Sequence, residues 1–253
     1  MLEIVVPMAG RGSRFATEGY LQPKPLIPVR GVPMIQLVIA NLTPRRPHTF
    51  TFICQREHLD KYGLAGHLER WAPGCRVIGI DRVTEGAACT VLLAREQIAT
   101  DQPLMIANCD QYIDADVDAY LDRMESAKLD GLIMTMTADH PKWSYVGFDA
   151  AGRVNRVVEK QVISDQATVG IYNFRRGQDF VAAADRMIER DLRVNNEFYV
   201  APTYNQLIED GATIGVFDIG GEGAGMYGLG VPEDLLAFER LELADRAARR
   251  VAA

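Results

Sequence analysis

Across residues 1–110, short and almost wholly apolar segments alternate with amphipathic ones, and that alternation limits what the chain can fold into. Apolar runs of strand length stand at "LEIVVP" (2–7), "HTFTFICQ" (48–55), "CRVIGI" (75–80) and "PLMIANCD" (103–110). Between them, "PMIQLVIANL", "REHLDKYGL" and "EGAACTVLLAREQIA" carry helical spacing. Pro33 falls at a helix start, where a missing N–H does no harm. Repeated strand–helix–strand units predict a parallel sheet covered on both faces. Right-handed crossovers then gather the strand ends, and any ligand, along one edge of that sheet.

After the helical stretch "VDAYLDRMESA" the pattern changes. "GLIMTMTA", "YVGFDAAGRVNRVVE" and "ATVGIYNF" are extended segments close together in sequence, and the middle one is a hairpin turning at residues 149–152. Two helices follow, over 180–190 and 199–210, then a strand "TIGVFDI", a glycine-rich loop "GGEGAGMYGLG" and a last helix from "PEDLLAFERLELADRAARR". With no internal repeat and no linker, residues 1–253 are expected to form one α/β domain. Its halves divide near residue 115. Leu235, Phe238 and Leu241 of the last helix are free to pack on the chain's own core or on a second copy.

Composition narrows the class. The chain is 48% hydrophobic and 24% charged and has no low-complexity run, so it can bury a normal core without staples. A net charge of −7 argues against a nonspecific nucleic-acid coat. Cys54, Cys75, Cys89 and Cys109 show no C-x-x-C spacing, so the expectation is reduced thiols in a cytoplasmic protein rather than zinc or disulfides. The N-terminal apolar run is short and holds Glu3, which fits neither a signal peptide nor a membrane span.

The first turn carries the most chemistry. "MAGRGSRF" places Gly10 and Gly12 directly after a strand, where glycine lets backbone N–H groups approach an anion. It is not the dinucleotide fingerprint, because Phe15 occupies the third glycine position and Arg30 stands near where a ribose-binding acid belongs. No G-K-[ST] occurs, which excludes the P-loop. Two glycines remain, with Arg11, Arg14 and Lys24. Pro23 and Pro25 fix the backbone on both sides of Lys24 and so aim its side chain.

"MAGRGSRF…PKPLIPV" resembles the signature of the sugar-phosphate nucleotidylyltransferases, the nucleoside-diphosphate-sugar pyrophosphorylases. That signature reads A-G-x-G-x-R, a variable loop, P-K and a short apolar stretch. The resemblance implies a three-layer, Rossmann-like nucleotidyltransferase fold of the GT-A kind with a mostly parallel mixed sheet. Residues 1–115 would bind a nucleoside triphosphate and residues 116–253 a phosphorylated small-molecule acceptor, with Mg²⁺ as cofactor. Backbone around Met8, Ala9, Gly10 and Gly12 would cradle the triphosphate. Arg14 and Lys24 would neutralise the phosphates and the pyrophosphate leaving group.

Further matches extend the resemblance to about residue 240. In "TEGAACTV", Thr84 reads plainly as a helix cap, while the family places a base-contacting loop at Glu85 and Gly86. In "IANCDQYID", an acid at the end of a buried strand suits a metal ligand. The resemblance gives Asp110 that role, sets Asn108 beside the nucleotide, and leaves Asp114 and Asp116 to start the next helix. Tyr145 and Gly147, then Glu159 and Lys160, then Val169 and Gly170 with Tyr172 match the family's Y-G-x-V, E-K and V-T-G-x-Y segments. They imply an acceptor site, joined by Glu197, with Lys160 on the acceptor phosphate. Two departures stand out. Gln161 replaces the proline that usually follows E-K. Gly228 stands where the family carries the second metal-binding acid, for which Asp218 and Glu222 are the nearby substitutes. A glycosyltransferase would show D-x-D where this chain has Asn108-Cys109-Asp110. A sensor that binds without turnover is the other rival reading.

Overall fold

The computed structural model describes residues 1–252. Its strands, in chain order, are β1 (Leu2–Pro7), the minimal pair β2 (Pro28–Val29) and β3 (Val32–Pro33), β4 (His48–Gln55), β5 (Arg76–Ile80), β6 (Leu104–Ala107), β7 (Gln111–Ile113), β8 (Gly131–Thr137), β9 (Ser144–Phe148), β10 (Val154–Glu159), β11 (Gln166–Phe174), β12 (Ile214–Glu222) and β13 (Gly225–Gly228). The main sheet runs β5-β4-β1-β6-β11-β8-β12-β13-β7, with the β9–β10 hairpin attached to β11. β5, β4, β1 and β6 are mutually parallel. β11 runs against both β6 and β8, and β12 lies parallel to β8. The expected mixed, mostly parallel sheet is therefore present.

Period-two alternation builds the three layers. Ile4 and Val6 of β1 face one side, with Phe50, Phe52 and Met105, under Ile35, Val38 and Leu42 of the helix Met34–Leu42. Val5 faces the other side, with Ile53 and Ile106, under Val91, Ile98 and the helix Gly177–Glu189. The edge strand β7 is held from outside the sheet by Asn41, whose buried amide both donates to and accepts from the Ile113 backbone at 2.8 Å. The hairpin turn forms as expected: Gly152 N–H donates to the Asp149 carbonyl at 3.0 Å, and the Asp149 carboxylate accepts from the Ala151 and Arg153 N–H groups. The Asp116 side chain caps the helix Val117–Ser126. Burial keeps the thiols of Cys54 (raised to about 12) and Cys109 (raised to about 11) neutral at ordinary pH, and all four cysteines are free.

Several segments differ from the sequence reading. The helix expected over 56–64 ends at Gly63, which adopts a left-handed conformation, and a second helix continues from Leu64 to Trp71. The helix expected from Tyr199 starts at Tyr204 after a short 3-10 turn. The last helix breaks into Pro232–Glu239 and Glu242–Ala252. Leu235 and Phe238 pack into the chain's own core, while Leu241 is partly exposed. The glycine-rich loop contains β13, which bridges β12 and β7. Glycine has low strand propensity, and only pairing on both sides holds this one extended.

Between Thr168 and Tyr172 the β8–β11 register slips, and Gly170 adopts φ 80°. A Cβ there would lie 2.1 Å from the Asn108 amide nitrogen. Gly170→Ala is therefore expected to lower the unfolding midpoint by about 5 °C or more, from backbone strain of about 1–2 kcal/mol plus the collision. Gly152→Ala, with φ 75° and nothing near its Cβ, should suffer the strain alone. Equal midpoints for the two variants in parallel melts would show that the Asn108 contact does not matter.

Candidate active site

Because β1, β4, β5 and β6 are parallel, the loops after Pro7, Ile80 and Ala107 converge at one edge. They line a cleft of 420 Å³ together with Lys24 and Glu197. Its walls include Met8, Ala9, Gly10, Gly86, Asn108 and Asp110, all expected from the sequence. Among the described residues, the N–H groups of Ala9, Gly10, Arg11 and Gly12 make no hydrogen bond within the protein. Four adjacent free donors form a preorganised anion seat. The Gln55 amide holds this loop by donating to the Ala9 carbonyl at 2.8 Å.

Gly12 has φ 60°, and a Cβ on it would meet the Lys24 Cβ at 3.1 Å, so the glycine lets the Pro23-Lys24-Pro25 segment fold under the loop. Pro23 caps and Pro25 lies within a single 3-10 turn (Lys24–Leu26) that directs the Lys24 ammonium onto Asp110 Oδ2 at 2.7 Å. The Lys24 side chain is only 17% exposed. Burial works against its charge, yet the Asp110 carboxylate more than offsets this and holds its pKa above the ordinary lysine value. The Arg14 guanidinium is exposed and makes no ion pair or hydrogen bond among the described residues.

The second wall comes from the other half of the chain. Asn195 and Asn196 both take positive φ, making a tight turn closed by the Val194–Glu197 bridge. That turn carries Glu197 to the cleft and docks Phe198 on the loop 85–88. Phe198 N–H donates to the Glu85 carbonyl at 2.8 Å, and Ala88 N–H donates to the Phe198 carbonyl at 3.0 Å. A Cβ on Gly86 would lie 2.4 Å from the Phe198 carbonyl oxygen, so only glycine allows this approach. Gly86 is the cap position of the following helix. Thr84 does not cap it; its hydroxyl donates to the Gly86 carbonyl at 2.9 Å, as Thr90 does at 3.1 Å. Pro7, Val83, Thr84, Thr90 and Cys109 also line the cleft without having been expected there. The spacing of two threonines around Gly86 was the signal available for this pair. Glu85 turns away from the cleft to pair with Arg193 at 3.1 Å.

The expected acceptor residues divide in two. Lys160, with φ 56°, projects from the end of β10, and its ammonium donates to the Tyr199 hydroxyl at 2.6 Å. Beside it, Glu159 is buried and accepts from the Ser144 hydroxyl; burial raises its pKa above the ordinary carboxylate value. Tyr145, Gly147 and Val169, by contrast, serve packing. Tyr145 is fully buried with its hydroxyl on the His140 carbonyl, Gly147 lies under Arg156, and Val169 is in the core. Asp218 is engaged elsewhere, by Gln166 at 3.0 Å and the Gly220 N–H at 2.7 Å, and Glu222 pairs with Lys142 at 2.6 Å.

The family model described as nucleotidyl transferase matches residues 4–209. The chain belongs to the nucleotidyl transferase family. Among solved structures, a nucleoside-diphosphate-sugar pyrophosphorylase from Vibrio cholerae RC9 aligns with TM-score 0.80 and 26% identity, over 94% of this chain and 100% of that one. A glucose-1-phosphate thymidylyltransferase from Bacillus anthracis, described as putative in its published name, aligns with TM-score 0.74 and 17% identity over 96% of this chain and 95% of its own. A UDP-glucose pyrophosphorylase complexed with UDP-glucose aligns with TM-score 0.75 and 14% identity over 97% and 100%. No curated protein sequence matches. Among the described residues of this transferase, no helix is long and apolar enough to cross a membrane.

The raised pKa of Glu159 has a signed consequence. Its ionised form is penalised in the folded state, so it opposes folding above the ordinary carboxylate range, and that penalty fades as pH falls through the raised folded value. Glu159→Gln is expected to melt no lower than wild type at about pH 8, with any advantage shrinking toward about pH 4. A variant that melts far below wild type at the higher pH would mean that the carboxylate stabilises the fold.

Proposed function

We propose that this nucleotidyltransferase joins a nucleoside triphosphate to a sugar 1-phosphate or a similar phosphorylated acceptor and releases pyrophosphate. The observation that carries this reading is the Lys24–Asp110 pair at 2.7 Å beside four free backbone N–H groups. A cation, a carboxylate and an anion seat stand together there, and Glu197 from the acceptor half lines the same cleft. The neighbour at 26% identity is named a nucleoside-diphosphate-sugar pyrophosphorylase, which supports a sugar phosphate as acceptor. The division of labour follows the chain: residues 1–115 hold the triphosphate and residues 116–253 supply the acceptor site. The role is cytoplasmic, in the making of nucleotide-linked precursors of polysaccharides or other glycoconjugates.

The residues fit Mg²⁺. Among the described residues no group of three or more His, Cys, Asp or Glu side chains is arranged to hold a metal. Magnesium suits such a site, since it keeps waters and substrate phosphate oxygens and takes only one or two carboxylates from the protein. Gly230 leaves room for one of them: a Cβ there would stand 2.7 Å from Asp110 Oδ2. When bound, the ion, held by Asp110, would supply charge neutralisation at the phosphates. The chain's own groups position and stabilise. The loop N–H groups fix the triphosphate, Lys160 holds the acceptor phosphate so that its oxygen attacks the α-phosphorus in line, and Lys24 and Arg14 take up the charge of the departing pyrophosphate.

Pyrophosphate release measured across a matrix of four triphosphates and several sugar phosphates tests the reading. Turnover is expected for at least one pair, and tight binding without release across the matrix would point to a sensor instead. With the productive pair, Lys24→Ala should lower kcat by about 10²–10³ in protein that thermal melts show to be folded at the assay temperature; near-wild-type turnover would remove Lys24 from the reaction. Lys160→Ala should raise KM for the acceptor more than KM for the triphosphate, and equal shifts would take Lys160 off the acceptor phosphate.

A further inference from the structure

The segment Tyr227-Gly228-Leu229-Gly230 runs antiparallel beside the start of β7 and continues that pairing past the strand, with the Leu229 N–H on the Asp110 carbonyl at 2.8 Å. Gly228 closes β13 and Gly230 stands two residues on, in a bend. Each leaves empty the place of a first side-chain atom, and a carboxylate stands against each place. A Cβ on Gly230 would be 2.7 Å from Asp110 Oδ2, and a Cβ on Gly228 would be 2.9 Å from Asp234 Oδ2. Neither glycine needs positive φ, so the absence of a side chain makes space rather than a turn.

Asp234 lies in the first turn of the helix Pro232–Glu239, half-buried, and no ion pair or hydrogen bond engages its carboxylate among the described residues. Arg14, Lys142, Glu222 and Glu233 are the charged groups that act on it. Asp218 and Glu222, the acids expected to replace the one missing at position 228, are both committed to other partners. Asp234 is the acid whose oxygen falls beside the first atom of a side chain at 228.

We propose that Asp234 is the second protein carboxylate for the divalent cation, reaching from the following helix into the space that Gly228 vacates. The assignment rests on the metal-dependent reading above. It explains two glycines with one geometry: Gly230 admits Asp110 and Gly228 admits Asp234. A carboxylate reaching in from a helix takes the place of one borne by the strand itself.

The test is Mn²⁺ binding to the free protein, followed by electron paramagnetic resonance of the unbound ion, in wild type, Asp110→Asn, Asp234→Asn, Asp234→Ala and Gly228→Asp/Asp234→Ala, with thermal melts to confirm folding. Asp234→Asn and Asp234→Ala should each weaken Mn²⁺ by on the order of tenfold or more, since even an outer-shell partner is worth that much. The double variant, with a carboxylate restored on the strand, should recover most of the affinity. Weakening in Asp110→Asn together with wild-type affinity in both Asp234 variants would overturn the role of Asp234 and leave the metal at Asp110. Wild-type affinity in all three single variants would overturn the metal reading itself and Asp234 with it. Loss in the Asp234 variants without recovery in the double variant would also count against the proposal, because the vacated space would then not be the place from which the carboxylate acts.

Discussion

Most of the site depends on one ion pair. Lys24 and Asp110 lie 86 positions apart and meet at 2.7 Å, where the loop after the first strand crosses the end of the fourth parallel strand in the sequence. A lysine so enclosed would lose its proton more readily without a carboxylate beside it, and here Asp110 reverses that tendency. Everything around the pair serves to place its partners. Two prolines aim the lysine, Gly12 lets its backbone pass beneath the loop, and Gly230 makes room for the carboxylate. Breaking either half would leave an opposite charge enclosed and unpaired, which is why a site of this kind is sensitive to single substitutions.

A second constraint joins the two halves of the chain. The turn at Asn195 and Asn196 presents Phe198 to the loop 85–88 through two backbone hydrogen bonds, and the glycine at 86 allows the contact. The cleft therefore has one wall built by strand ends and another built by a docked hairpin-like turn. Threonines 84 and 90 hold the Gly86 carbonyl from the helix side. The backbone at this corner is fixed from two directions, leaving the cleft face of the loop for a ligand.

Much of this was legible in the chain, for identifiable reasons. Strands buried on both faces read as continuous apolar runs, so β1, β4 and β6 could be located from sequence, as could the half-buried edge strand β5, and with them the loops that follow. The paired prolines around Lys24 and the acid closing "IANCD" were legible because backbone restriction and an acid at a sheet edge are local features. What failed was long-range. Tyr145, Gly147 and Val169 stand in motif-like positions, yet their surroundings make them packing residues. The stretch 220–230 looked like a loop because its glycines carry no strand signal, and only pairing with β12 and β7 made part of it a strand.

By itself the sequence determined the parallel half of the sheet and the glycine loop after its first strand, because these are written in local periodicity and spacing, while its resemblance to the family signature singled out Lys24 and Asp110. The tertiary structure alone decided that Lys24 pairs with Asp110, that Glu85 leaves the cleft for Arg193, and that Asp218 is spent on a turn while Asp234 stands where a side chain at 228 would begin. The first two are meetings between residues 86 and 108 positions apart, and the last two turn on how a loop and a helix start fold back on their own strand. Which side chain occupies a space left by a glycine depends on how neighbouring elements pack in three dimensions, and no periodic pattern encodes it.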